Sequence, residues 1–287
     1  MSVRATDGAG NTTDQAISVS VTDVPEVSRS DPLSALLAST IYDLDATLAA
    51  SYGGSGQTWS NLIASPADGA LQTDYDYTLG FSASPSTDDP TFTGTADDAN
   101  AHFSFDGGDR MVFTNGLPDF FKKFHRTDTA QDWTMVFAGK LPPSGSSFPF
   151  IRTGNSTAGA QGMQIAWQYS GVPRILLTQY GDAASSNFIE TADIPSYGDE
   201  FVMGIAYNHT AGEITIWANS SAGTRTSFTF NAATADAATN VLFYTTAFPA
   251  NGSIIRAASA FNAKLSDADF AAVAGHYELR HNRSYLV

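Results

Sequence analysis

The central part of this chain is a succession of short β-type segments with no helical pattern between them. Runs rich in Val, Ile, Phe, Thr and Tyr, such as WTMVFAGKL at 133–141 and FVMGIAYN at 201–208, are separated by stretches of Gly, Pro, Asn and Asp. β-branched and aromatic residues favour strands, whereas the intervening residues favour turns. Many short strands at close spacing are typical of a sandwich or a jelly roll. The sequence therefore predicts an all-β protein.

The N-terminal part of the chain has a different organisation. Residues 1–24 predict a β-hairpin, because VRATD and the alternating segment AISVSVTDV flank a GAGN turn. Two strands cannot form an independent core, so we expect this hairpin to be an attachment arm that contacts an edge strand or a protein partner. Residues 25–32 predict a linker, and residues 33–287 the sandwich domain.

Two helices are predicted at the borders of the sandwich domain. Asp31 is a suitable N-cap and Pro32 a suitable first helical residue, which predicts a short helix after the linker. Near the other end, Ser266 and Asp269 form a variant of the capping box. The apolar residues that follow are spaced to form one buried helical face: Phe270, Val273, Ala274 and Tyr277.

The charge balance excludes several classes of partner. The chain has 14 Lys plus Arg against 29 Asp plus Glu, a net charge of −15, and no Cys. This acidity argues against nucleic acid as a partner and against docking on anionic lipid. No apolar run approaches the ~20 residues of a spanning helix, so no membrane insertion is expected. The basic cluster KKFHR at 122–126 is expected to be solvated, with docking on an acidic partner or anionic glycan as the alternative.

Four blocks of the sequence resemble a known family. They are LDATLAASYGGSGQTWSNLIASPADGAL, FSFDGGDRMVF, FVMGIAYNHTAGEITIWANSSAG and SIIRAASAFNAKLSDADFAAVAGHYELRH. In this order and spacing they resemble the concanavalin A-like lectin and glucanase superfamily, in its laminin-G-like branch of bacterial and phage type. The resemblance implies a jelly roll of two antiparallel sheets, with sugars on the concave face or the rim loops and Ca²⁺ nearby in many members. The first 24 residues resemble the closing hairpin of a bacterial immunoglobulin-like or cadherin-like repeat.

The pairs of carboxylates that glycoside hydrolysis requires are not evident in the strands. Retaining glucanases of this fold carry two Glu on one strand face, one as nucleophile and one as acid/base. No two of the five Glu residues share such a strand: Glu26, Glu190, Glu200, Glu213 and Glu278. The side chains of Asp43 and Asp45 could lie on one face of a strand, and so could those of Asp74 and Asp76. We expect these residues to close turns or to be solvated instead. We expect no enzymatic activity, and a glycoside hydrolase or lyase of this fold is the alternative.

Calcium is the cofactor that the loops suggest. Asp residues crowd the two loops around the strand AHFSF, and Ca²⁺ takes carboxylate oxygens as ligands. Asp106 and Asp109 are the first candidate ligands, although Asp106 is also placed to close a hairpin turn at Gly107 and Gly108. The five His residues are scattered and are expected at the surface rather than as metal ligands.

The four Trp residues are the candidates for stacking on the apolar face of a sugar ring. Strand alternation places Trp133 and Trp167 with the core residues of their strands, and Trp59 is expected to anchor a loop. Each of these three is therefore predicted to be structural.

Trp217 is the remaining candidate for a sugar contact. In EITIWAN, alternation puts Ile214 and Ile216 on one face and Trp217 on the other, with Thr215 and Asn219 beside it. If the isoleucines fill the sandwich, Trp217 faces outward as a stacking platform. The alternative is that a loop or the terminal helix covers it.

These observations favour a non-enzymatic glycan-binding or adhesion module displayed on a surface. The first expectation is a phage virion component, such as a decoration, head-fibre or tail protein, and the second is a bacterial surface adhesin. A purely structural assembly role is the competing class. The expected partners are a surface glycan and a protein bound through the hairpin, so the chain would be part of a larger assembly on a virion or at the cell surface.

Overall fold

The structure is a computed structural model. It describes residues 2–16, 28–114, 116, 118–126, 130–144, 147–153, 162–169, 173–180, 184–189, 194–229, 242–243 and 252–287. Its strands are β1 (Ser2–Thr6), β2 (Thr12–Ala16), β3 (Thr40–Asp45), β4 (Thr58–Trp59), β5 (Tyr77–Leu79), β6 (Thr91–Thr93), β7 (His102–Ser104), β8 (Met111–Phe113), β9 (Trp133–Lys140), β10 (Ser147–Arg152), β11 (Gly162–Tyr169), β12 (Pro173–Tyr180), β13 (Ala184–Ile189), β14 (Glu200–Asn208), β15 (Glu213–Ala218), β16 (Thr224–Ser227), β17 (Leu242–Phe243) and β18 (Ile254–Phe261). Its α-helices are α1 (Asp119–Lys122) and α2 (Asp267–His281), and short 3₁₀ turns cover Leu33–Ala35 and Gln72–Tyr75.

Two antiparallel sheets form the body of the protein, which confirms the all-β sandwich. We call the two sheets the outer sheet and the inner sheet. The outer sheet has the strand order β13-β12-β11-β10-β17-β8-β5-β4. The inner sheet has the order β16-β15-β14-β9-β18-β7-β6, and β3 also pairs with β18. Neighbouring strands are often far apart in sequence, as β9 and β18 are, which is the connectivity that a sandwich of two sheets requires.

The inner sheet is covered on both faces. One face packs against the outer sheet in a large core that includes Met135, Phe137 and Ile205. The opposite face packs against α2 in a second core that includes Val136, Ala206 and other side chains of the same strands. Strands that are buried on both faces are apolar throughout rather than alternating. This double burial explains the continuous apolar runs of β9 and β14.

Helix α2 begins and packs as the sequence predicts. Ser266 and Asp269 form the capping box, in which the Ser266 hydroxyl accepts the Asp269 N–H and the Asp269 carboxylate accepts the Ser266 N–H. Phe270 packs into a notch of the inner sheet at Gly204, where a Cβ atom would lie 2.6 Å from the Phe270 ring. The helix ends at Asn282, which adopts the left-handed conformation with φ of 49°. No helix in the described part of the chain has the length and apolar character needed to span a membrane.

The predicted N-terminal helix is only one 3₁₀ turn. Asp31 does not cap it, because its side chain accepts the Ser28 N–H behind it, and Pro32 occupies the cap position. Leu33 is nevertheless buried, and it packs in the same core as the apolar side chains of α2.

The N-terminal hairpin forms a two-stranded sheet of its own. β1 pairs with β2 from Ser2 opposite Ala16 to Thr6 opposite Thr12. Asp7 closes the turn, since its carboxylate accepts the N–H groups of Ala9 and Asn11 at 2.9 Å each. The second half of the predicted strand, with Ile17, Val19 and Val21, lies outside the described residues.

The segment FDGGD is a crossover and not a hairpin. β7 belongs to the inner sheet and β8 to the outer sheet, so the turn between them carries the chain from one sheet to the other. The loop at 80–90 makes a second crossing at the same end of the sandwich, from β5 to β6. The two loops are joined by a hydrogen bond from Gly80 N to Arg110 O of 2.9 Å.

Candidate functional site

Trp217 is buried, so the predicted stacking platform is wrong. Ile214 and Ile216 do face the sandwich core, and Trp217 lies on the opposite face as alternation requires. That face is covered by α2, and Trp217 has an exposed fraction of 0%. Its ring stacks on Phe270 with centroids 5.0 Å apart, and its Nε1 donates to Asp267 Oδ1 at 2.9 Å. Both faces of the strand are thus occupied by protein.

The two neighbours of Trp217 are also structural. Thr215 is fully buried beneath Gly223. The side-chain amide of Asn219 joins the ends of two strands, because its Oδ1 accepts Val202 N–H at 2.8 Å and its Nδ2 donates to Glu200 O at 2.9 Å. Thr215 therefore has no surface available to a sugar, and the partly exposed Asn219 serves to join the strand ends.

The other three Trp residues have the structural roles that were predicted. Trp133 and Trp167 lie in the core between the two sheets. Trp59 is buried in β4, where its ring packs on Tyr77 and Phe103.

Asp43 and Asp45 are buried and not solvated, which corrects that part of the sequence prediction. Asp45 does close a turn, because its Oδ1 accepts the Thr47 N–H at 2.9 Å. Both Asp residues lie on the α2 side of β3 with no exposed side-chain surface. Arg280 of α2 forms a bidentate ion pair with Asp43, at 2.9 and 2.8 Å, and contacts Asp45 Oδ2 at 3.3 Å. We call Asp43, Asp45, Arg280 and His281 the helix clasp. A bidentate pair of Arg and carboxylate is planar and charge-assisted, and the pair of Arg280 and Asp43 fixes α2 on the inner sheet.

The histidines of α2 are buried, whereas the sequence predicted them at the surface. His281 Nε2 lies 3.2 Å from Asp45 Oδ2, and its Nδ1 lies 2.8 Å from the Tyr285 hydroxyl. Burial lowers the pKa of His281 and opposes the effect of Asp45. The hydrogen bonds then assign a neutral ring, with Nε2–H donating to Asp45 and Nδ1 accepting from Tyr285. This Tyr–His–Asp series is enclosed by protein, so it has no path to a substrate.

Asp74 closes a local turn as predicted, whereas Asp76 bonds to a residue 15 positions away in the sequence. Asp74 accepts the Leu71 N–H at 2.9 Å, and Asp76 accepts the Asn61 N–H at 2.8 Å. They hold the segment between β4 and β5.

The candidate calcium ligands Asp106 and Asp109 lie together but are engaged by the backbone. Asp109 Oδ2 accepts the Asp106 N–H at 2.7 Å, and Asp106 Oδ1 accepts the Gly108 N–H at 3.0 Å, which closes the turn as expected. Burial, with the charges of Asp106 and Asp89, raises the pKa of Asp109 to about 6. Over the described residues, no three side chains of the metal-ligating types are grouped for an ion. Calcium binding at Asp106 and Asp109 therefore stays a prediction.

The basic cluster at 122–126 is only partly solvated. Lys122 pairs with Asp119 at the end of α1, at 2.6 Å. Lys123 and His125 are buried, and Lys123 contacts Asn262 and Gln131. The cluster therefore does not present a continuous basic surface to an anionic partner.

An exposed aromatic ring, Phe81, lies on the loop that crosses between the sheets. Phe81 has an exposed fraction of 55%. The Arg110 guanidinium covers one face of the ring, with Cζ 3.9 Å from the ring centroid. Asp88 holds Arg110 in place through an ion pair of 3.1 Å and a backbone hydrogen bond of 3.0 Å. The ring is therefore oriented by the cation on one side while a large part of its surface is open to solvent.

Polar residues follow this ring along the loop. The segment FSASPSTDD carries exposed Ser and Thr residues after Phe81, and then the half-buried Asp88 and Asp89. Gly80 adopts φ of +67°, and a Cβ there would collide with the Asp89 carboxylate, so the loop can turn tightly only at glycine. We call Phe81, Arg110, Asp88 and the Ser residues at 82, 84 and 86 the Phe81 rim. In the sequence, Phe81 is a single aromatic residue among turn-forming residues, and it does not belong to an alternating strand pattern. This isolation is the signal that could have identified it.

Comparison with known proteins identifies the fold but no family. No protein-family model and no curated protein sequence matches the chain. Among solved structures, the binding domain of botulinum neurotoxin serotype D aligns with a TM-score of 0.52 and 14% identity, over 84% of this chain and 51% of that one. A type C botulinum neurotoxin structure, whose cell entry depends on interaction with two ganglioside molecules, aligns with a TM-score of 0.54, 12% identity and the same coverages. Trypanosoma rangeli sialidase aligns with a TM-score of 0.50 and 10% identity, over 87% of this chain and 34% of that one.

These similarities show a lectin-like arrangement of two antiparallel sheets. The chain spans about half the length of the toxin domains and about a third of the sialidase. The shared part is thus a module of larger proteins, and its activity depends on the residues that each chain places on the common framework. In this chain the framework is an all-β, two-sheet antiparallel sandwich with a C-terminal helix on its inner sheet.

Proposed function

We propose that this protein is a non-enzymatic glycan-binding or adhesion module displayed on a surface, and that the Phe81 rim contacts the sugar. The observation that carries this proposal is an exposed aromatic ring that is backed by a cation and followed in the loop by exposed Ser residues. Sugar rings offer apolar C–H faces for stacking and hydroxyl groups for hydrogen bonds. The glycan-binding toxin among the structural neighbours supports the same class of ligand.

Substitution of Phe81 tests the rim directly. We expect Phe81→Ala to weaken glycan binding about tenfold, because the stacking surface is lost. Phe81→Tyr should retain binding. A glycan array followed by titration of the best ligand measures both variants. The thermal midpoint of Phe81→Ala should stay near that of the parent chain, because the ring is largely outside the core.

Leu279→Ala provides the matched control. Leu279 is also a large exposed apolar residue, but it lies on α2, away from the crossing loops. We expect Leu279→Ala to bind glycan as the parent chain does. Equal binding by Phe81→Ala and the parent chain would contradict the assignment of the rim.

The biological setting that we propose is a phage virion component first and a bacterial surface adhesin second. A purely structural role is the competing function, and absence of any ligand on a broad glycan array would favour it. The glycoside hydrolase alternative is tested by release of reducing sugar from the bound glycan. Hydrolysis that persists after repurification would make the protein an enzyme.

The hairpin β1–β2 is proposed as the arm that contacts a protein partner. It forms a separate sheet, and an isolated two-stranded sheet is marginally stable in water. We expect deletion of residues 1–24 to leave a folded monomer that no longer assembles, as measured by light scattering and circular dichroism. Unfolding of the truncated chain would show instead that the hairpin belongs to the core.

A further inference from the structure

A buried lysine and an asparagine are in direct contact between two distant parts of the chain. Lys123 follows α1, where its N–H bonds to Phe120 O at 3.3 Å. Asn262 follows β18, where its N–H bonds to Ser39 O at 2.7 Å. The backbone at both positions is thus fixed by hydrogen bonds. The Lys123 Nζ atom lies against the Asn262 side-chain carbonyl oxygen.

The surroundings of Lys123 disfavour its charged form. Its exposed fraction is 9%, so the side chain is largely shielded from water. Burial lowers the pKa of Lys123. Within the described residues, no carboxylate is close enough to form an ion pair with it, and its second polar partner is the neutral Gln131 Oε1 at 3.1 Å. A buried lysine of this kind is a nucleophile once its proton has left.

We propose that Lys123 and Asn262 form an intramolecular isopeptide bond. The neutral Lys123 Nζ attacks Asn262 Cγ, the new Nζ–Cγ bond forms, and the Cγ–Nδ2 bond breaks. A proton from Nζ passes to Nδ2, which leaves as ammonia. The reaction consumes no oxidant, reductant or cofactor, so the chain contains every group that the bond-forming step requires.

The bond would join positions that are 139 residues apart. A crosslink across a loop of this length restricts the unfolded chain strongly. By analogy with a disulfide that closes a loop of similar length, it would raise the thermal midpoint by roughly 10 °C. Unlike a disulfide, it would also resist reducing agents, in a chain that has no Cys.

The test is the intact mass of the full chain after denaturation. We expect a mass about 17 Da below that of the sequence, because one ammonia is lost. Proteolysis should release the peptides that contain Lys123 and Asn262 as one joined species. A mass equal to that of the sequence would overturn the proposal. This measurement on the parent chain does not depend on whether any variant folds.

Two variants make the assignment specific. Lys123→Arg should show its full sequence mass and a thermal midpoint roughly 10 °C lower. Asn262→Asp should reach the same crosslinked mass as the parent chain, since water leaves in place of ammonia. If Lys123→Arg also lacks about 17 Da, a cyclised asparagine explains the loss and the proposal fails.

Discussion

Substitution of Arg280 by Met should lower the free energy of unfolding by about 3–5 kcal/mol, as measured by urea denaturation. Arg280 is completely buried, and its guanidinium balances Asp43 and contacts Asp45. Its removal leaves two buried carboxylates without their cation. The cost therefore reflects the unpaired charges more than the loss of the contact itself.

The double variant Arg280→Met, Asp43→Asn distinguishes these two contributions. It should be more stable than Arg280→Met alone, because one of the two unpaired charges has been removed. Arg225→Met is the matched control, since Arg225 pairs with Asp267 at 3.1 Å where both side chains are 43% exposed. We expect that control to cost about 0.2–1 kcal/mol. Equal losses for Arg280→Met and Arg225→Met would contradict the role of the clasp.

Trp217→Ala should destabilise the protein by about 3–5 kcal/mol and lower the thermal midpoint by roughly 10 °C. The substitution removes the ring that fills the space between β15 and α2, together with its stacking on Phe270. Trp217→Phe should be milder, because it keeps the apolar volume near Phe270 and loses the hydrogen bond to Asp267.

The Trp217→Ala variant also distinguishes a role of Trp217 in packing from a role in ligand binding. Measured where Trp217→Ala is folded, its glycan affinity should equal that of the parent chain, since Trp217 has no exposed surface. Phe81→Ala should show the reverse pattern, with weaker binding and an unchanged thermal midpoint. A Trp217→Ala protein that keeps its thermal midpoint but loses glycan binding would restore the original sequence prediction.

Strand alternation predicted which way the side chains of β15 point but not what lies over them. Ile214 and Ile216 face the sandwich core, and Trp217 faces the other side, as the period of two requires. Whether that side is open depends on where α2 packs. Helix periodicity predicted that α2 has one buried face. It did not identify the strands against which that face packs, because packing between distant elements leaves no local pattern in the sequence.

The helix clasp was missed for a related reason. Asp43 and Arg280 are 237 residues apart in sequence, and each alone is an ordinary charged residue. Their pairing becomes visible only when β3 and α2 are seen to touch. The turn at Asp106 was the opposite case, since its backbone hydrogen bonds are local and were predicted correctly. The sequence did not predict that β7 and β8 belong to different sheets, because the same turn residues occur in hairpins and in connections between sheets.

The attachment of residues 29–33 determines how a mechanical load on the hairpin would enter the sandwich. Arg29 donates to Arg280 O at 2.7 Å, and the Asp31 carbonyl accepts hydrogen bonds from Arg280 at 2.6 Å and His276 at 2.9 Å. Leu33 N–H donates to Asp43 at 3.0 Å. These bonds attach a few consecutive residues to both α2 and β3. Tension on the arm would therefore meet the helix and the inner sheet together at residues 29–33.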